Sequence, residues 1–199
     1  LLHLLRGSGL NGLRGMLPVS TLHNAPRLWH GRPFLSLSKA DIAAYCQQNH
    51  LAWVEDETNQ DTQFSRNQLR HELLPILKQY NPQIVARLRA LGSVVQEEVA
   101  LLEQLADEAW ASVCQQQASG IVTLNKKGWQ QQPKAIQRRL LRRAIIVCQS
   151  KTVEISFNVI EAVGQHLANG RSGSQLDLPG RVTLYVGYHA LVLCADNVA

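Results

Sequence analysis

Apolar positions along the chain recur at helical spacing in some stretches and alternate or cluster briefly in others, and this pattern predicts the elements. Ser38 followed three residues later by Asp41 has the form of a capping box, and Ile42, Tyr45 and Cys46 continue at helical spacing, which predicts a helix over 38–50. Residues 51–55 read as a short strand with Trp53 in the core, and 56–65 as a polar loop. Leu69, Leu73, Leu74 and Leu77 share one face and predict a second helix over 67–80, kinked at Pro75. Asn81 and Pro82 mark the boundary between residues 1–80 and 81–199, since proline suits the first turn of a new helix. Ile84, Leu88, Leu91, Val95, Val99, Leu102, Leu105, Ala109 and Val113 predict a helix over 82–117, about 50 Å long, with a bend at Gly92 and Ser93. Ile136, Leu140, Leu141, Ala144 and Ile145 form the inward face of a helix over 133–149, and another helix runs over 156–168. Residues 175–178, 182–186 and 191–193 change period, with turn signals at Pro179, Gly180 and Gly187, so the region closes in a small antiparallel β-hairpin sheet. Before all of these, Gly7, Gly9, Gly12 and Gly15 punctuate a loop, and 28–35 holds a short strand.

Composition narrows the class. The chain has 199 residues, 45% hydrophobic and 18% charged, which suits one globular domain or two small ones. No apolar run approaches the ~18–20 residues that span a membrane. Cys46, Cys114, Cys148 and Cys194 are far apart and form no C-x-x-C pair, so no structural metal is expected and the thiols read as reduced. That points to the cytoplasm, and a plastid stroma would look the same. The net charge of +5 is mild, but its distribution is uneven. Between 125 and 152 lie eight basic residues and no acidic one: Lys126, Lys127, Lys134, Arg138, Arg139, Arg142, Arg143 and Lys151. Arg138 with Arg142, and Arg139 with Arg143, are four apart, which predicts a wide cationic helix face. Trp129 beside it is a candidate base-stacking side chain, and nucleic-acid phosphates are the expected partner.

The densest chemistry lies in Trp53-Val-Glu-Asp-Glu-Thr-Asn-Gln-Asp-Thr-Gln-Phe-Ser-Arg-Asn-Gln-Leu-Arg-His-Glu-Leu-Leu-Pro75. Arg66 and Arg70 share a helix face, and two guanidinium forks suit a phosphate or carboxylate. An equally simple reading has Asp56, Thr58 and Asn59 forming turns while Arg66 and Arg70 pair with Asp61 and Glu72.

This stretch, W-V-E-D-x-T-N-x-D…R-N-x-L-R-x-x-L-L-P, resembles the signature of tRNA(Ile)-lysidine synthetases, a PP-loop ATPase family. So do Leu4-Leu-Arg6-Gly7-Ser8-Gly9 through Gly15-Met16-Leu17-Pro18, and Arg32-Pro33-Phe34-Leu35. The resemblance is strong over 1–80 and looser beyond. It implies an α/β remnant of a nucleotide-binding, adenine nucleotide alpha hydrolase-like domain, followed by a mainly α-helical domain with a C-terminal β-hairpin. It also implies an ATP-dependent ligation of lysine to C2 of the wobble cytidine in isoleucine tRNA with a CAU anticodon. Partners would be that tRNA, ATP and L-lysine, with Mg²⁺ in the complete enzyme and a possible homodimer. Carried over residue by residue, Arg6, Gly7 and Gly9 line the ATP and lysine cleft with Asn59 and Asn67, Arg66 and Arg70 stabilise charge, and the basic helix with its preceding loop binds tRNA. The family's S-G-G-x-D-S and H-x-x-D-D-Q-A-E-T runs do not occur in this sequence. The expectation is therefore an incomplete, inactive portion of the enzyme, or alternatively a non-catalytic tRNA-binding module.

Overall fold

The computed structural model describes residues 1–22, 25–54, 65–118, 120–149, 155–169 and 171–196. It divides into two compact units, Leu1–Gln96 and Glu97–Ala199. The divide falls within a long helix rather than at Asn81 and Pro82.

In the first unit, α1 (Leu2–Leu5) and α2 (Leu10–Leu13) flank the glycine loop, and β1 (Val19–Leu22) pairs antiparallel with β2 (Ala25–Gly31). The expected strand over 28–35 thus starts earlier and stops at Gly31. There Arg32 ties down the hairpin: its guanidinium donates to Leu17 O and Ser20 Oγ, both at 3.0 Å. Next comes α3 (Lys39–Gln48), started by the expected capping box, with Asp41 N–H donating to Ser38 Oγ at 3.1 Å and Ser38 N–H to Asp41 Oδ2 at 2.9 Å. Residues 51–54 form no strand, and Trp53 is half-exposed rather than core. Helix α4 (Ser65–Gln68) passes through a π-helical turn (Leu69–Leu73) into α5 (Leu74–Tyr80). Leu74 N–H reaches back five residues to Leu69 O. Pro75 has no N–H and its ring crowds the preceding turn, so the helix widens ahead of it instead of kinking at it.

Helix α6 (Ile84–Val113) then runs unbroken through Gly92 and Ser93. Among the described residues of the first unit, only Asn67 and Val95 are buried. Exposed apolar side chains there include Leu4, Leu5, Trp29 and Phe34.

The second unit holds the hydrophobic core. Strands β3 (Cys114–Ala118), β4 (Ile121–Asn125), β5 (Gln175–Leu178), β6 (Val182–Val186) and β7 (Ala190–Ala195) form one antiparallel sheet in the order β3-β4-β7-β6-β5. The closing hairpin is therefore part of a five-stranded sheet, and residues 114–117 are strand rather than helix. Helices α7 (Lys126–Gln130), α8 (Lys134–Cys148) and α9 (Phe157–Asn169) complete the unit. Alternate residues of the strands point inward. Val122, Leu124, Leu184, Leu191 and Leu193 meet Ile136, Leu140, Leu141 and Ile145 of α8, and all are 3% exposed or less. Burying one such side chain stabilises the fold by about 1.5–3 kcal/mol. No helix among the described residues is long and apolar enough to cross a membrane.

Candidate functional site

The first unit's candidate cleft starts at the turn between α1 and α2. Gly7 closes α1 with φ +70°, a left-handed conformation that favours glycine. Gly12 is required for another reason: a Cβ there would lie 2.3 Å from Ser8 Cβ. Gly9 has an extended backbone, and a Cβ on it would meet nothing within 4 Å. The backbone at Gly7 and Gly9 is thus open, and Arg6 beside it is exposed. This open backbone with a neighbouring guanidinium fits a phosphate group.

Arg66 on α4 and Arg70 in the π turn are both exposed. The wide turn between them changes the angular spacing that four residues would give in a regular helix. Asn67 behaves differently: it is 9% exposed and already engaged within the fold, which suits a structural role better than a ligand contact. Asn59, Asp56, Thr58 and Asp61 lie outside the described residues. The first unit also holds an apolar groove of about 1040 Å³ near Leu4, Leu13, Met16, Val19, Leu35 and Leu88. None of Arg6, Gly7, Gly9, Arg66, Asn67 or Arg70 lines it.

Arg6, Gly7 and Gly9 thus lie on the open turn between α1 and α2, and Arg66 and Arg70 are exposed separately on α4 and the π turn. Among the described residues, no group of three or more His, Cys, Asp or Glu is placed to hold a metal ion.

In the second unit, α8 carries the predicted arginines, but neighbouring elements supply acids that the local sequence lacks. Arg138 binds Glu161 of α9 through Nε at 2.5 Å and through a second nitrogen at 3.0 Å, with its guanidinium 5.5 Å from the Phe157 ring. That bidentate contact holds the Glu161 carboxyl below its ordinary range and raises the Arg138 value. Arg143 binds Asp107 of α6 and lies 5.4 Å from the Trp110 ring. Arg139 Nε lies 3.2 Å from Glu103 Oε1, close enough for charge attraction. The same Nε is buried without hydrogen-bond geometry, so attraction rather than a hydrogen bond joins this pair. Arg142 donates to Ile155 O at 2.7 Å. The wide cationic face expected of α8 is thus largely compensated. Lys134 at its start is exposed, and Lys151 lies outside the described residues. Trp129 is 4% exposed, with its ring N–H donating to Gln137 O at 3.2 Å, so it packs in the core and is no base-stacking platform. Lys127 is exposed, and Lys126 is half-buried against Gly187 O at 3.2 Å.

Comparison with known proteins gives matches across both units. A family profile described as a PP-loop domain matches residues 1–77, and one described as the TilS substrate binding domain matches 124–192. Similar curated proteins include a tRNA(Ile)-lysidine synthase of Geobacter sulfurreducens, 30% identical over 95% of this chain and 39% of its own length. One from Dehalococcoides mccartyi is 32% identical over 97% and 41%. One from Synechocystis sp. is 35% identical over 91% and 55%. The chain thus spans between about two-fifths and just over half of the length of these relatives.

Proposed function

Because the chain belongs to the tRNA(Ile)-lysidine synthase family, we propose that it forms part of an ATP-dependent enzyme that ligates lysine to the wobble cytidine of isoleucine tRNA with a CAU anticodon. The observation that carries this reading is the open, cationic Arg6–Gly9 turn in the stretch similar to PP-loop domains, followed by a unit similar to the substrate-binding domain.

In the reaction, ATP transfers AMP to the C2 oxygen of the cytidine and releases pyrophosphate. The lysine ε-amine then attacks C2, AMP leaves, and the amine gives up a proton. This chain's contribution is electrostatic. Arg66 and Arg70 offset charge building on the phosphate, and the open Gly7 and Gly9 backbone lets it approach closely. Among the described residues, no cluster of carboxylates is placed to hold Mg²⁺.

The test is lysidine formation by the full-length enzyme with ATP, lysine and the CAU tRNA transcript. Arg66→Gln and Arg70→Gln are expected to lower kcat/KM by at least tenfold without changing the melting temperature. Unchanged kinetics in both would remove them from the site. The sequence contains no S-G-G-x-D-S run, which supports the further reading that this stretch alone does not complete adenylation. Pyrophosphate release by this chain alone would refute that.

A further inference from the structure

Two exposed cations of the second unit, Lys127 and Arg171, lie at the end of the sheet that carries the β6–β7 turn Gly187-Tyr188-His189. Lys126 pins this turn from α7, its backbone N–H donating to His189 O at 2.9 Å and its ammonium to Gly187 O at 3.2 Å. On the β5 side, Gly173 N–H donates to Val186 O at 2.7 Å and Val186 N–H to Ser174 O at 2.9 Å. The Ser174 hydroxyl in turn lies 3.0 Å from His166 Nε2 at the end of α9. Four segments are therefore stitched into one small platform.

The outward side chains on this platform are exposed. Tyr188 is 82% exposed, and Lys127, Arg171 and His189 are also exposed. No Asp or Glu occurs in 120–149, 162–176 or 178–195. Among the described residues, no ion pair joins Lys127 or Arg171 to a carboxylate, whereas Glu161, Glu103 and Asp107 face three arginines of α8. An exposed aromatic ring on a pinned turn, flanked by uncompensated cations, is the combination that holds an RNA strand: cations take phosphates and the ring stacks on a base.

We propose that this end of the sheet is an RNA-strand site, with Lys127 and Arg171 on phosphates and Tyr188 stacked on an unpaired base. That the RNA is a tRNA rests on the family reading above; the surface itself rests on its charge and exposure.

The experiment is filter binding of the full chain to the CAU-anticodon isoleucine tRNA transcript over a salt series, with circular dichroism melts of each variant. Tyr188→Ala is expected to weaken binding roughly five- to hundredfold, the usual loss when one stacking ring is removed, while Tyr188→Phe binds like wild type. Lys127→Gln with Arg171→Gln is expected to flatten the log–log salt slope by about 1.4, two phosphate contacts at single-strand density. Arg139→Gln with Arg143→Gln should leave the slope unchanged. A single-stranded oligonucleotide should compete better than a blunt duplex of equal length. Wild-type binding by Tyr188→Ala, a loss confined to the α8 variant, equal competition by both RNAs, or no RNA binding by the wild-type chain would each overturn the proposal. None of these would touch the family reading, which stands or falls on lysidine formation by the full-length enzyme.

Discussion

Ser38 shows how one residue can set an element. Its hydroxyl and the Asp41 carboxylate satisfy each other's backbone N–H groups at the start of α3. The Asp41 carboxyl is held below its ordinary value, first by the Ser38 side chain and then by its backbone N–H. A depressed folded value means the cap is fully present above the ordinary carboxylate range and is lost as pH falls through the lowered value. Ser38→Ala is expected to cost the about 1 kcal/mol typical of a lost serine cap, read by urea unfolding at neutral pH, with the gap from wild type closing in strong acid. Cys148 offers a second test. Its thiol is buried, donates to Leu193 O at 3.3 Å, and is pushed up to about 11, mainly by burial. At pH 8 in the native protein it should resist iodoacetamide while becoming reactive in urea, and mass mapping of the alkylated cysteines would reveal native modification if it occurred.

Among the elements, α8 was legible because its apolar stripe has one period and one destination: Ile136, Leu140, Leu141, Ala144 and Ile145 are all buried. Its charge was not legible in the same way. The sequence shows which residues are basic, but Glu103, Asp107 and Glu161 reach them from α6 and α9, across separations no local window spans. Strand β3 escaped notice because Cys-Gln-Gln-Gln-Ala has no alternation, and only its ladder to β4 defines it. Trp53 misled because a short apolar run implies burial only where something packs over it. In the candidate cleft, the turn glycines were readable as backbone devices, but the π turn separating Arg66 from Arg70 follows from Pro75 acting several residues upstream. Removing the acids tests the charge account. Glu103→Gln, Asp107→Asn and Glu161→Gln together are expected to raise salt-sensitive retention on heparin while barely changing the melting temperature, because partly exposed pairs contribute little to stability. Unchanged retention would show that the arginines were never masked. Wild-type retention should also rise as pH drops through the lowered Glu161 value, where the Arg138 partner is lost.

For the whole chain, the two units differ in what holds them. The second has a continuous core between sheet and helices, and Leu193→Ala in the middle of β7 is expected to cost about 2–5 kcal/mol, measured by denaturant midpoint in near-ultraviolet circular dichroism. A cost below 1 kcal/mol would mean that this core is loosely packed. The first unit keeps only Asn67 and Val95 buried among its described residues, so equivalent truncations at Leu5 or Phe34 should be nearly silent.

The strand order has a bearing on biosynthesis. Strand β7 lies between β4 and β6, so the sheet has no centre until the residues from Ala190 to Ala195 are available. A ribosome delivers β3 and β4 first, then α7, α8 and α9, and the strand that joins both halves of the sheet last. Until β7 emerges, the nascent second unit can pack β4 against α8 but lacks the strand that joins β4 to β6, and such a long-range closure folds slowly and invites chaperone capture.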